Sequence, residues 1–515
     1  MATTSISTDT KGSLRFRTSV SLVDGDSVSS KDQKIADGIS GKTPNGTPNG
    51  APPAQSTSST REEVQARNRL FHTIDYAPRV SYFDAQSDNS SLRGFYRLFW
   101  VVLAIAVASS CLRNVKNTGY PIRGQVWKLF TPNLRQLALG DAAMVASSAL
   151  VLPIHLKVRS AMGWLRWNRG GIVVQSLFEL AWLAFWTKLP FDLEWTWTAH
   201  VFFSLHTMII LMKIHSYAFY NGHLSETQRR LLELDQEKVP KAAAAHEQLR
   251  EKLVMELTSP LGHVTYPQNL TLANYVDYLL CPTLCYELEY PRTTGKIRWS
   301  RVLFNAFAVF ACVFVMTHLS EEFVIPSLRE SRDELRAAGI KAISTGEGWN
   351  HFSVLLHTAT IYIMLPFTAL FLLSWLILWE FVLDAFAEIT RFADRQFYTD
   401  WWNAGDWFEF SRRWNLPVHH FLLRHVYQAA RRHHLSRWAA LTITFFVSSA
   451  LHELIMGCIT HKLRGYALAA MMQQLPLYAM QNLPFVRPYR SALNVYFWCA
   501  MVHGLSIMCV MYTIL

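Results

Sequence analysis

Residues 397–427 read FYTDWWNAGDWFEFSRRWNLPVHHFLLRHVY and lie between two long apolar runs. The stretch combines tryptophan and tyrosine, which favour membrane–water interfaces, with many arginine and histidine side chains. The apolar run before it covers residues 352–383, and the run after it covers residues 438–459. Both are long enough to cross the roughly 30 Å hydrocarbon core of a bilayer. The pattern predicts a membrane protein whose chain surfaces between two spans at residues 397–427.

The composition of the whole chain supports a membrane protein. Half of the 515 residues are hydrophobic and 17% are charged, whereas soluble proteins carry about a quarter charged residues. The net charge of +11 comes from lysine and arginine that cluster between apolar runs, and no nucleic-acid-binding motif accompanies it. We therefore attribute the positive charge to the loops between spans, and we exclude a nucleic-acid-binding function.

The apolar runs predict an all-α polytopic fold with about nine transmembrane helices. Pro366 interrupts the run 352–383, which is too long for one upright span. It is either a kinked, tilted helix or a span followed by an interfacial helix. The predicted spans cover approximately residues 95–112, 137–156, 171–186, 195–212, 302–317, 352–383, 438–459, 465–483 and 492–515.

The segments outside the spans fall into three parts. Residues 1–65 are rich in Ser, Thr, Gly and Pro and predict a disordered tail, cytosolic because no apolar signal precedes it. Residues 66–94 either lie on the membrane surface or dock on the folded body, and residues 95–515 form the membrane domain. The charged connection 223–260 predicts a helical hairpin, with a capping box at Ser225 and a break at Pro240. A solvated hairpin and a partner surface both fit it.

The loop charges predict the orientation in the membrane. A cytosolic tail places residues 397–427 on the cytosolic side, where their arginines obey the positive-inside rule. The basic connection between the first two spans disagrees with this rule. The seven cysteines lie mostly in apolar runs and predict buried thiols, and we expect no metal site at Cys281 and Cys285.

His452 lies in FFVSSALHELIMGCI, residues 445–459, near the middle of a predicted span. A buried histidine is neutral, which suits a general base, but it could instead join two helices by a hydrogen bond. Glu453 points about 100° away around the helix, so it ties this helix to another or orients the site from behind. Ser448 and Ser449 share the face of His452 better.

The segment FYTDWWN, residues 397–403, offers an uncharged donor in Asn403 that can hold a carbonyl oxygen. Asp400 and Trp402 are expected to support it. The tryptophans also fit a simple interfacial role, so the residues alone leave this stretch open.

FYTDWWN resembles the Phe-Tyr-x-Asp-Trp-Trp-Asn signature of the acyl-CoA:cholesterol and diacylglycerol acyltransferases, a branch of the membrane-bound O-acyltransferase (MBOAT) family. The resemblance runs from about residue 95 to the C-terminus. It includes MKIHSYAFYNG (212–222), CPTLCYELEYPRT (281–293), FSRRWNLPVHHFLLRHVY (410–427), HELIMGCITHKLRGY (452–466) and MMQQLPL (471–477).

The resemblance implies an MBOAT fold with an intramembrane tunnel and two catalytic residues, His452 as the base and Asn403. The cosubstrate is a fatty acyl-CoA, and no other cofactor and no metal is implied. The candidates for binding the phosphates of acyl-CoA are Arg412, Arg413, Arg424 and His425. The positive-inside rule alone would also explain the arginines. On the acceptor side of the tunnel the candidates are Gln474 and Ser449.

The resemblance is greatest to the sterol branch, particularly its fungal members. We therefore expect a sterol O-acyltransferase that forms steryl esters, with diacylglycerol as the alternative acceptor. A lipid-binding or transport protein is the non-enzymatic alternative, although such a protein is expected to lose His452 or Asn403. The endoplasmic reticulum membrane and a homodimer or homotetramer are further expectations.

Overall fold

The computed structural model describes residues 71–84, 93–122, 128, 132–160, 163–236, 243–337 and 348–514. Within these residues the regular secondary structure is helical, with isolated bridges between extended segments. The α-helices, numbered in chain order, are α1 (Arg93–Thr118), α2 (Leu134–Ser148), α3 (Val151–Ser160), α4 (Ile172–Asp192), α5 (Trp197–Gln236), α6 (Ala243–Leu257), α7 (Leu272–Leu280), α8 (Trp299–Leu319), α9 (Ile325–Ala337), α10 (Gly348–His357), α11 (Met364–Trp375), α12 (Leu383–Thr390), α13 (Trp407–Arg413), α14 (Leu416–Leu422), α15 (Gln428–Arg432), α16 (Arg437–Thr460), α17 (Tyr466–Met472), α18 (Gln474–Gln481) and α19 (Arg490–Ile514).

Eight helical segments in the described parts of the chain are long and apolar enough to cross a membrane, by length and composition. This confirms the predicted all-α polytopic class. The segments are Gly94–Thr118, Leu134–Ser160, Trp167–Asp192, Trp197–Gln236, Trp299–Asp333, Ser353–Thr390, Arg437–Thr460 and Arg490–Ile514.

The predicted span 465–483 differs, because it forms two short helices, α17 and α18, that meet at Gln473. Neither helix has the roughly 20 residues that a span needs. Pro476 provides the physical reason, since it has no N–H to donate to the carbonyl of Met472, where α17 ends. Among the described residues the count of spans by length is therefore eight, where the apolar runs predicted about nine.

The long run around Pro366 is one continuous helix, Ser353–Thr390. Two π-helical segments interrupt its α-helical geometry, Thr358–Ile363 and Leu376–Val382. The carbonyl that a proline leaves without its usual donor lies four residues earlier, at Tyr362, inside the first π-helical segment. Wider turns therefore let the helix continue through the proline, as the single-helix alternative predicted.

The charged connection after the fourth span departs from prediction at its start. Helix α5 runs without a break to Gln236, so no new helix begins at Ser225. The Ser225 hydroxyl donates to the carbonyl of Gly222 within the helix, at 2.7 Å, and caps nothing. Helix α6 corresponds to the second helix of the predicted hairpin, which follows the predicted break. Pro240 lies outside the described residues.

Residues 71–84 dock on the folded body, which decides between the two predicted positions of this part of the chain. The Ile74 N–H donates to Glu287 at 2.8 Å, and the Ser81 hydroxyl donates to Glu380 at 2.6 Å. The predicted tail, residues 1–65, lies outside the described residues, as do residues 66–70 and 85–92.

The two sequence blocks around Tyr217 and Tyr286 pack against each other in the core. Their rings meet edge to face with centroids 4.7 Å apart. The buried ammonium of Lys213 donates to the carbonyls of Tyr278 and Cys281, at 2.9 and 2.8 Å. Cys281 is buried and unpaired, as the sequence predicts. These two blocks thus form a core of buried tyrosines.

Candidate active site

Helix α16 carries His452. The Ser436 hydroxyl caps its start by accepting from the Ala439 N–H at 3.1 Å, and His461 ends it in a left-handed conformation with φ 56°. The Nδ1 atom of His452 lies 2.7 Å from the carbonyl oxygen of Ser448, one turn earlier. A carbonyl only accepts, so Nδ1 carries the proton of the neutral ring and Nε2 carries the lone pair. This is the tautomer that a general base needs.

The surroundings of His452 differ from prediction in one respect. Its side chain is exposed on the protein surface, where a buried histidine was expected. No hydrogen bond joins it to another helix within the described chain, so the alternative of a histidine that links two helices does not fit. The geometry instead leaves Nε2 accessible in the span.

Glu453 is buried and accepts five hydrogen bonds, all from outside α16. Four come from the turn into α17, where a carboxylate satisfies N–H groups that the helix start leaves unpaired. The donors are the backbone N–H groups of Arg464, Gly465, Ala467 and Leu468 and the hydroxyl of Tyr512. Glu453 therefore ties α16 to α17 and α19, as one of the two predicted roles requires.

The segment FYTDWWN follows α12 as an extended stretch and ends in a 3-10 turn, Trp401–Asn403. The amide of Asn494 donates to the carbonyls of Trp402 and Ala404, at 2.9 and 2.8 Å. The indole N–H of Trp498 donates to Trp402 as well, at 3.1 Å. Residues on both sides of Asn403 are thus fixed to α19, while the Asn403 side chain is exposed.

Asp400 and Trp402 hold this turn in place, and their predicted support of Asn403 in the reaction stays a prediction. One carboxylate oxygen of Asp400 lies 3.1 Å from the guanidinium of Arg413 on α13. The Trp402 ring packs edge to face on Tyr82, with centroids 5.1 Å apart. The turn is therefore held from α13, from α19 and from the N-terminal segment.

Helix α19 contacts both halves of the candidate site. Asn494 and Tyr512 are separated by 18 residues, or five turns, and so lie on one face of the helix. From Trp498, which holds the FYTDWWN turn, to Tyr512, which holds Glu453, the helix rises about 21 Å. In the part of the chain that the structure describes, no hydrogen bond or ring contact joins Asn403 to His452.

Sequence comparison identifies the protein family. The model of the MBOAT family, membrane-bound O-acyltransferases, matches residues 94–514. The chain belongs to this family. Among its relatives is a probable sterol O-acyltransferase 2 of Schizosaccharomyces pombe, 36% identical over 456 residues, which are 88% of this chain and 94% of that protein. The predicted resemblance is confirmed.

Two further relatives bear on the acceptor. Sterol O-acyltransferase 2 of Candida albicans is 32% identical over 470 residues, 82% of this chain and 75% of that protein. Diacylglycerol O-acyltransferase 1 of Dictyostelium discoideum is more distant, 27% identical over 456 residues, 88% of this chain and 66% of that protein. Sterol-named relatives are thus more similar to this MBOAT chain than the diacylglycerol-named one is.

Arg412 and Arg413 remain candidates for the phosphates of acyl-CoA. The Arg412 guanidinium is exposed and lies 4.7 Å from the centre of the Phe408 ring. Arg413 is half-buried and shared between Asp400 and Glu409, the latter at 2.7 Å. The charge of Arg412 is therefore more available to a phosphate than that of Arg413.

Arg424 does not fit the predicted phosphate role, because it is fully buried. It forms an ion pair with Glu287 and donates to the carbonyls of His72 and Tyr286, at 2.7 and 2.9 Å. Its guanidinium also lies 5.2 Å from the centre of the Phe71 ring. Arg424 is a structural cation that fixes residues 71–74 on the core.

His425 does not fit that role either. Its Nε2 atom lies 2.9 Å from the hydroxyl of Ser216. Burial first, and then the neighbouring charges of His215 and Arg424, hold the pKa of His425 well below its ordinary value. A neutral ring bonded to a hydroxyl offers no charge to a phosphate.

The two acceptor-side candidates have different surroundings. Ser449 is fully buried and its hydroxyl donates to the Phe445 carbonyl at 2.6 Å, so it is packed inside the protein and does not line an accessible tunnel. Gln474 is half-buried at the start of α18, and its amide lies 3.4 Å from the sulfur of Met471. Gln474 remains a prediction.

Three residues that hold the site in place were missed by sequence reasoning: Asn494, Trp498 and Tyr512. Asn494 had a usable signal, as a polar residue in the last span. Trp498 and Tyr512 are indistinguishable in sequence from ordinary apolar residues of a span.

Proposed function

We propose that this MBOAT protein is a sterol O-acyltransferase, which transfers a fatty acyl group from acyl-CoA to the 3β-hydroxyl of a sterol. The observation that carries the proposal is the state of His452. Its Nδ1–H is held by the Ser448 carbonyl, so Nε2 is free to accept a proton from an alcohol.

In the proposed reaction, Nε2 of His452 takes the proton of the sterol hydroxyl while the oxygen attacks the thioester carbonyl. The carbon–oxygen bond forms, the carbon–sulfur bond breaks, and the imidazolium returns the proton to the CoA sulfur. No covalent acyl-enzyme is needed. Binding of both substrates in the plane of the bilayer brings the reacting oxygen close to the reacting carbon.

Asn403 is proposed to bind the acyl-CoA through its exposed amide. An uncharged amide donor can hold the thioester carbonyl in place for attack. Arg412 is proposed to contact the CoA phosphates, since its guanidinium is exposed on the same connection. Gln474 is proposed on the acceptor side. The endoplasmic reticulum membrane is the proposed location.

The acceptor is the finer part of the proposal, and diacylglycerol is the second candidate because of the Dictyostelium relative. The test uses microsomes from cells without their own acyltransferases, supplied with labelled oleoyl-CoA and with ergosterol, cholesterol or diacylglycerol. We expect steryl ester as the main product, and none with the His452→Ala variant. Triacylglycerol as the only product would reject the sterol assignment.

A further inference from the structure

Glu380 is a buried carboxylate on the π-helical segment Leu376–Val382 of the long membrane helix. One of its oxygens, Oε2, accepts two hydrogen bonds. The Ser81 hydroxyl donates at 2.6 Å, and the phenol of Tyr398 donates at 2.8 Å. An acidic side chain in an apolar helix needs such partners. Here they come from the N-terminal segment and from the FYTDWWN signature.

The residues after Ser81 pack directly on the signature. Tyr82 meets Trp402 edge to face at 5.1 Å between centroids, and Phe83 stacks on Trp402 at 6.0 Å. Trp375 meets Trp402 as well, at 6.3 Å. Trp402 immediately precedes Asn403, so these rings limit how the turn that carries Asn403 can rotate.

The N-terminal segment is also tethered upstream of Ser81. The N–H of Arg79 donates to the Ala393 carbonyl at 3.1 Å, and the N–H of Arg395 donates to the Arg79 carbonyl at 2.8 Å. The guanidinium of Arg79 forms an ion pair with Asp394. Because this tether is separate from Glu380, loss of Glu380 loosens Ser81, Tyr82 and Phe83 without releasing the whole segment.

We propose that Glu380 is a positioning residue for acyl transfer. Its carboxylate joins Ser81 to Tyr398, so that Tyr82 and Phe83 hold Trp402 and thereby fix the direction of the Asn403 amide. The proposal rests on the proposed function, in which Asn403 binds the acyl-CoA. The N-terminal segment is then a part of the donor site and not only a connection to the tail.

The test compares the full-length protein with its Glu380→Ala and Glu380→Gln variants. Alanine removes both hydrogen bonds, whereas the amide oxygen of glutamine has two lone pairs and keeps both. We expect Glu380→Ala to lower kcat/KM for acyl-CoA about tenfold, since two hydrogen bonds are lost together. The KM for sterol should stay unchanged, and Glu380→Gln should restore most of the loss.

Ser81→Ala and Tyr398→Phe each remove one of the two hydrogen bonds and provide milder variants if Glu380→Ala does not fold. Both should raise the KM for acyl-CoA and leave the KM for sterol unchanged. The matched control is Ser331→Ala, since Ser331 is a buried hydroxyl bonded to Thr358 at 2.7 Å, away from the signature. It should leave both KM values unchanged.

An unchanged kcat/KM for acyl-CoA in Glu380→Ala would overturn the proposal. Equal damage in Glu380→Gln and Glu380→Ala would overturn it too, because the charge and not the hydrogen bonds would then matter. His452→Ala, measured in parallel, separates this from the proposed function. If His452→Ala is inactive while Glu380→Ala is normal, the positioning role alone fails. If His452→Ala is active, the proposed reaction fails.

Discussion

Replacing Glu453 by alanine removes both carboxylate oxygens at the junction of α16 and α17. The backbone N–H groups of Gly465 and Leu468 then lose their carboxylate acceptor. The N–H of Ala467 keeps a second acceptor, the hydroxyl of Tyr512 at 3.0 Å. The variant therefore tests whether Glu453 holds the helices together or takes part in chemistry beside His452.

The contacts give the size of the effect. An unpaired buried N–H costs about 1–3 kcal/mol, and these groups are partly buried, so the lower value applies to each. The two groups together give about 2 kcal/mol of lost stability. Glutamine keeps one oxygen for Arg464 and Gly465 and leaves Leu468 unpaired, which gives about 1 kcal/mol. The expected order of stability is wild type, Glu453→Gln, Glu453→Ala.

The assay heats the protein in detergent and follows the monodisperse gel-filtration peak, and it also measures ester formation per folded molecule well below the midpoint. We expect the midpoint to fall in the stated order while Glu453→Gln keeps its rate per folded molecule. Glu226→Ala is the control, because its half-buried ion pair with Arg166, at 3.2 Å, is worth about 1 kcal/mol or less. An inactive Glu453→Gln with a wild-type midpoint would refute the structural role.

Two further predictions concern the charged groups on the predicted cytosolic side. Arg412→Ala should raise the KM for acyl-CoA and leave the thermal unfolding midpoint unchanged. Arg424→Ala should lower the midpoint, because it removes the cation from the buried carboxylate of Glu287. A change in KM without loss of stability in Arg424→Ala would contradict this. Burial lowers the pKa of His72 to about 4 and that of His420 to about 3, from 6.5, so the unfolded chain binds more protons below pH 6.5. Stability should therefore be complete above pH 6.5 and fall on acidification, and an equal midpoint at pH 7.5 and pH 5.5 would contradict that.

The fold class could be predicted because a bilayer demands long apolar helices, and the sequence displays them directly. The number of spans could not, since Pro366 and Pro476 have opposite outcomes. A π-helical segment carries one helix through Pro366, and the other helix ends ahead of Pro476. That difference depends on packing against neighbouring helices, which no local pattern reports.

Some features of the candidate site could likewise be predicted from the sequence, and others could not. Glu453 was predicted to point away from His452 because helix geometry alone fixes that direction. Arg424 was predicted to bind phosphate, and it is instead buried against Glu287. Exposure of an arginine depends on contacts between distant parts of the chain, here residues 72, 286 and 287, so its sequence position could not reveal it.

The central claim is that His452 is the base, and its most direct test compares His452→Ala with His503→Ala. His503 is a matched histidine in α19, with Nδ1 2.9 Å from the Cys499 carbonyl, but it lies half a turn away from the face that holds Asn494. The measurement is the rate of steryl ester formation from labelled oleoyl-CoA by purified, folded protein. We predict a loss of about 10²–10⁴-fold for His452→Ala and a change within about threefold for His503→Ala. Undiminished ester formation by His452→Ala would contradict the account.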